Sequence, residues 1–295
     1  MSPIAPRARA RAVQPALSRR PRAGRVMTGA VNELVSLLVL LLFLGPFLWM
    51  VVMSFQTRTQ IFARPPLIWF RPTLANYTDL MNRGVFLDYL QNSLVVVVLT
   101  VLVSLAFAIP AAYGFARFRF RRREDLAFWV LSIRMAPPIA VVIPYFLIGS
   151  FLGILDTRFV LVVAYLSFNI PFAIWMIRGF IEDVPVEVEE AAQIDGCSRF
   201  QALRRVTLPL VGGGIAATAI LLVIQSWNEF AFALFLTTTE ARTLPTIVTQ
   251  FLTFQGVVWG EMAAAASITV IPIVIFAILV RKQLITGLTF GAIKE

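Results

Sequence analysis

The chain has 295 residues, 59% of them hydrophobic and only 14% charged, with 26 Lys and Arg against 16 Asp and Glu. Soluble domains average about 45–50% apolar and about 25% charged, and the mean hydropathy here is +0.81. One water-soluble core cannot hide so many apolar side chains, so lipid must solvate much of the surface. The sequence contains no His, which excludes His-based triads, proton relays and zinc sites, and a single Cys, Cys197, which excludes an intrachain disulfide and a Cys-rich metal site. Carboxylates, hydroxyls, amides and Arg remain for chemistry.

Residues Met1 to Arg25 carry seven Arg, four Pro and no acid. That composition predicts a disordered basic tail over residues 1–30, ahead of one membrane domain over residues 31–295. The apolar run Leu34–Phe55 exceeds the hydrophobic stretch of a secretory signal, about 7–15 residues, and reads as a retained first span. Five more spans follow near Tyr89–Ala116, Leu126–Leu152, Phe159–Phe180, Leu210–Leu236 and Met262–Leu284. Each is long enough to cross about 30 Å of hydrocarbon. With the N-terminus in the cytoplasm, 19 Lys and Arg fall inside and six outside, and Arg134 lies within a span. The positive-inside rule therefore predicts six spans with both ends cytoplasmic, and accounts for the basic excess without nucleic acid. Pro46, Pro110, Pro137, Pro138, Pro144, Pro171 and Pro272 lie in or beside the spans. Such residues either kink helices around a cavity or reflect the ordinary abundance of Pro in membrane helices.

The segment 181–209 between the fourth and fifth spans differs from the rest. It reads as helix, turn, helix: Asp183 as a cap, Pro185 in the first turn, acids Glu187, Glu189 and Glu190, and Gly196 as a left-handed stop. Ser198 then caps a second helix that presents Phe200, Leu203 and Val206 and ends at Pro209. A helix lying on the membrane surface is the alternative, but such helices favour basic residues on their polar face. The acidic first helix points instead to a protein partner.

Glu190-Ala191-Ala192, Asp195-Gly196, nine residues and then Val206-Thr207-Leu208-Pro209 resemble the EAA loop of bacterial ABC importer permeases, with Val206 where that family has Ile. Asn92-Ser93, Ala111-Ala112-Tyr113-Gly114-Phe115-Ala116-Arg117, Trp227-Asn228-Glu229-Phe230 and Gly287-Leu288-Thr289 extend the likeness to the carbohydrate-uptake branch. Arg134-Met135-Ala136-Pro137-Pro138 resembles the polyol transporters of that branch. The resemblance implies an all-α polytopic protein of the bacterial inner membrane, with six transmembrane helices and a cytoplasmic coupling helix. It implies a permease that docks on a separate ATPase through Glu190, Ala191, Ala192, Asp195, Gly196, Leu208 and Pro209. It also implies a second, paralogous permease as heterodimer partner, two copies of the ATP-binding subunit and an extracytoplasmic solute-binding protein. No cofactor would be held by this chain, ATP and Mg²⁺ belonging to the ATPase.

For the solute path the polar residues within the spans are the candidates, chiefly Asn92, Arg134, Tyr165, Asn169, Gln225, Asn228 and Glu229. Amides, hydroxyls and aromatic faces suit a sugar, a polyol or a related small polar solute. Arg134 either faces protein or water, or snorkels to the cytoplasmic end. Glu229 binds solute, pairs with Arg134 or another subunit, or sits in water. The Gly212-Gly213-Gly214 run is either a hinge or a close helix contact. Two further readings stay open: an ion-coupled secondary transporter, and an importer permease for a non-carbohydrate solute such as glycerol-3-phosphate. An intramembrane enzyme would need a catalytic set that the sequence lacks. The Gly-rich phosphate loop of an ATPase is also missing.

Overall fold

The computed structural model describes residues 23–254 and 256–289, with side chains described for residues 32–254 and 256–280. The basic tail expected over residues 1–30 lies outside the described residues up to position 22. From Ala23 onward the chain is already helical, so the first helix starts eight residues before the expected domain boundary. One compact unit ends at Trp49 and a second begins at Met50. Helix α1 (Ala23–Ser54) accounts for the described part of the first, and its large apolar side chains from Leu34 to Trp49 are exposed. A helix apolar on every side belongs in lipid or against another membrane chain.

In the second unit, short α2 (Arg58–Ile61) and α3 (Ala75–Asn82) lead to α4 (Val85–Arg117), a 33-residue rod of about 50 Å. Helix α7 (Arg158–Glu182) lies along it as the main partner. Ala108 and Ala112 of α4 and Ala173 of α7 are fully buried, among Val97, Val101, Ile174 and Ile177. Small residues at such positions let membrane helices approach closely, where dispersion and interhelical hydrogen bonds, not hydrophobicity, hold them together. Helices α11 (Gly212–Trp227) and α13 (Trp259–Thr289) complete the bundle. At Gly214 a Cβ would lie 2.3 Å from the Phe180 ring, while Gly212 and Gly213 face open space. The triple-Gly run is thus a close contact at its third residue.

Among the described residues, four helices are long and apolar enough to cross a membrane, and two bent pairs raise the number to six. Helix α5 (Arg123–Ser132) and α6 (Pro138–Leu152) meet at 89° around Pro137 and Pro138. The second pair bends by 76° at Val211, between residues 199–210 and α11. The expected fifth span, Leu210–Leu236, is not one helix. It breaks at Asn228, Glu229 and Phe230 and resumes as α12 (Ala231–Leu236). Pro46, Pro110, Pro144, Pro171 and Pro272 all lie inside helices that continue past them. Neighbouring helices can re-satisfy the carbonyls that Pro leaves free. The only strands among the described residues are β1 (Leu252–Thr253) and β2 (Gly256–Val257), an antiparallel hairpin before α13.

Polar side chains tie the two ends of the bundle. At one end Asn92 donates from Nδ2 to the carbonyls of Glu240 and Arg242, 2.8 and 2.9 Å, and accepts from Arg158 at 2.7 Å. Ser93 Oγ accepts the Leu244 N–H at 2.8 Å, and Asp156 gathers the N–H groups of residues 238–241. At the other end Arg178 links Glu124 and Glu182. The segment 183–209 is held at this second end, next to the last turn of α4.

Candidate functional site

Segment 183–209 is a helical hairpin. Helix α8 (Val186–Ile194) starts after Pro185, with Glu187 and Glu189 in its first turn and no side-chain cap. Asp183, expected to cap it, instead sits at the end of α7. Gly196 takes φ 91°, as its expected role requires; the N–H groups of Gly196 and Cys197 reach back to the carbonyls of Gln193 and Ala192. Ser198 and Gln201 form a reciprocal capping box for α9 (Arg199–Ala202). One π-helical turn, Leu203–Thr207, then leads into α10 (Leu208–Leu210), so the helical path runs one residue beyond Pro209. Its buried side is formed by Ala202, Leu203 and Thr207, whereas Phe200, expected with Leu203, points outward at 71% exposure.

The docking candidates Glu190, Ala191, Asp195, Gly196 and Pro209 are exposed, and Ala192 and Leu208 are half-buried. Sequence reasoning missed Glu189, which is 2% exposed and the one buried residue of α8. Its Oε1 accepts from Arg117 Nε at 2.9 Å and from Thr207 Oγ1 at 2.8 Å, and its Oε2 accepts from Tyr113 at 2.9 Å. Arg117 Nη2 also donates to the Val184 carbonyl at 2.8 Å. A buried carboxylate without such donors would be prohibitively costly. The signal was available in part, since Arg117 closes an apolar span and needs a partner. Nothing in the local pattern told which of three neighbouring acids turns inward.

The path candidates divide. Arg134, Tyr165, Asn169, Gln225 and Glu229 line one cavity of about 260 Å³ beside the middle of α7 and the break between α11 and α12. Asn169 Nδ2 donates to Ser226 Oγ at 2.7 Å. Glu229 accepts the Phe232 N–H, 3.1 Å at Oε2, and so caps α12. The Arg134 guanidinium lies 4.2 Å above the Phe172 ring centroid. It forms no ion pair with Glu229, and its buried Nη1 has no hydrogen-bond partner. The Tyr165 hydroxyl is buried beside Glu229 and Thr243. Phe168 and Phe232 supply aromatic faces. The two other candidates lie apart from the cavity: Asn92 anchors the 240–242 backbone, and exposed Asn228 donates to the Ile224 carbonyl at 2.7 Å. An unpartnered guanidinium donor, a phenol hydroxyl, a carboxylate, amides and aromatic rings around one cavity suit a ligand that both gives and accepts hydrogen bonds and has apolar faces.

Residues 105–289 match the family of binding-protein-dependent transport system inner membrane components. The chain belongs to this family. Its permeases include close relatives: the trehalose/maltose transport system permease protein of Thermococcus litoralis is 35% identical over 263 residues, 88% of this chain and 94% of that one. The diacetylchitobiose uptake system permease protein of Streptomyces coelicolor is 35% identical over 259 residues, 86% and 94% of the two chains. In fold the chain resembles a bacterial ABC transporter involved in import of the acidic polysaccharide alginate, with a TM-score of 0.73 at 24% identity over 89% of this chain and 98% of that one. This permease is thus a multi-pass inner-membrane subunit of an ATP-driven importer, a transport component and not an enzyme. The alternative of an ion-coupled secondary transporter gives way to family membership.

Proposed function

We propose that the permease forms half of a translocation path for a sugar, a polyol or a related small polar solute, with the cavity between the α5–α6 link, α7, α11 and α12 as its polar wall. The observation that carries this reading is the convergence of Arg134, Tyr165, Asn169, Gln225 and Glu229 on that cavity, where the buried Arg134 Nη1 has no hydrogen-bond partner. Trehalose, maltose and diacetylchitobiose name the systems of its relatives and support the carbohydrate class over glycerol-3-phosphate. A paralogous permease supplies the other half, and an extracytoplasmic binding protein delivers solute. Two copies of an ATPase handle ATP and Mg²⁺, and both chain ends lie in the cytoplasm. The exposed Glu190, Ala191, Asp195 and Gly196 dock α8 on the ATPase, with Ala192, Leu208 and Pro209 supporting the hairpin.

The test is solute-stimulated ATP hydrolysis by the reconstituted complex, with trehalose, maltose, sorbitol, mannitol and glycerol-3-phosphate offered in turn. One of the first four stimulates the wild type. Gly196→Asp, which places a Cβ at φ 91° and a charge on the docking face, abolishes that stimulation while the complex still assembles. Normal stimulation in the variant would remove α8 as the docking element, and stimulation by glycerol-3-phosphate alone would remove the carbohydrate class.

A further inference from the structure

Helix α8 is attached in an unusual way. Its exposed side carries Val186, Val188 and Ile194, and no apolar side chain of the helix is fully buried. The residue that anchors it is a carboxylate. Both oxygens of Glu189 are engaged, by Arg117 and Tyr113 from α4 and by Thr207 from the returning half of the hairpin. Arg117 additionally holds the Val184 carbonyl in the short link from α7, and its side chain is 8% exposed. Only residues 183–185 connect α7 to α8, and the left-handed Gly196 follows the helix. Both connections offer pivots. A helix pushed from outside would turn about them unless side chains fixed it to the bundle.

We propose that Glu189 and Arg117, with Tyr113 and Thr207, form a clamp that makes α8 and the end of α4 move as one body, and that this clamp carries the drive into the bundle. Displacement of α8 then passes to α4 and, through the α4–α7 contact, to the α7 wall that bears Tyr165 and Asn169. These are positioning residues that never meet solute. The inference rests on the reading that α8 docks on the ATPase, and goes beyond it in naming the link that makes docking productive. Charge-assisted hydrogen bonds with matched geometry suit the task better than apolar contact, because they fix orientation as well as distance.

The complete transporter in nanodiscs, with Cys197→Ser and spin labels at Glu187→Cys and Leu102→Cys, reports the α8-to-α4 distance directly. Both labelled positions are exposed. With the clamp intact, one narrow distance persists without nucleotide and with ATP plus vanadate. Glu189→Gln and Arg117→Met broaden or split it, and in proteoliposomes they lower uptake of radiolabelled trehalose, maltose, sorbitol or mannitol per ATP hydrolysed by about tenfold. Arg117→Lys, which keeps the charge without the second donor to Val184, restores part of the loss. Tyr113→Phe and Thr207→Val each delete one hydroxyl and give smaller effects of the same sign, so the test survives if a charge variant fails to assemble. A distance as narrow as wild type in all of these variants overturns the clamp, as does undiminished uptake per ATP. Gly196→Asp separates the two ideas: it leaves the distance narrow and loses uptake if docking alone is impaired, whereas wild-type uptake there overturns docking and the clamp together.

Discussion

Asp156 occupies the left-handed region at φ 56° in the link between α6 and α7, and its carboxylate is enclosed by the segment that follows α12. Burial opposes its charge, but hydrogen bonds from the Thr238 hydroxyl and from the N–H groups of Glu240, Thr239 and Ala241 outweigh burial and hold the carboxyl well below the usual carboxylate range. A group whose folded pKa is depressed contributes stability that is present above its unfolded value and is lost as pH falls through the folded one. The wild type should therefore lose stability progressively below about pH 4, the unfolded value for Asp. Asp156→Asn should cost about 1–3 kcal/mol at neutral pH, the size of hydrogen bonds to a charged group, and flatten that acid limb. Thermal unfolding of the purified complex across pH checks both; a variant with the wild-type acid limb would assign the pH dependence elsewhere.

Close contact between α11 and α7 depends on Gly214, where Phe180 occupies the space a side chain would need. Gly214→Ala should destabilise by about 1–3 kcal/mol through overpacking. Gly213→Ala, which meets nothing within 4 Å, should be neutral or stabilise by up to about 1 kcal/mol through helix propensity. Unfolding temperatures of the two variants, compared in one detergent, separate a contact from a hinge; equal effects would argue for a hinge. Hydropathy located every apolar run that became a helix, because a bilayer imposes a length and a composition on anything that crosses it. It could not locate the breaks. Five prolines sit inside unbroken helices, while the interruption at Asn228, Glu229 and Phe230 contains neither Pro nor Gly. That interruption is held by tertiary partners, a Glu229 cap on α12 among them, and such partners leave no local trace.

At the scale of the whole bundle, the hairpin 183–209 was legible as a unit because its Ser198 cap, its acids and Gly196 all act within a few residues. Its attachment was not, since Glu189 meets partners 72 and 76 positions earlier in the chain. The cavity was legible as a list of polar residues but not as a place. Asn92 and Asn228 carry the same amide as Asn169, yet only Asn169 faces the cavity. The difference lies in which helix face meets which neighbour, and a repeat of 3.6 residues does not encode that. The large exposed side chains of α5 and α6, among them Phe128, Trp129, Ile143 and Phe151, leave a broad apolar surface for lipid or another membrane chain.

The clamp also limits how freely parts can be exchanged between permeases. A hairpin that met the bundle only through apolar contacts could be grafted as a module, with its specificity for one ATPase carried along. Here half of the joint is written into the end of α4. A chimaera that imports residues 183–209 from a relative should drive uptake only if its residues at 113 and 117 suit the incoming acid, and exchanging those two positions as well should rescue a failed graft. Uptake measured for the graft with and without the two companion changes decides it. If grafts work regardless, the hairpin is a self-sufficient cassette. If they need the companions, these transporters have inherited their ATPase contact and the base of α4 as one indivisible unit.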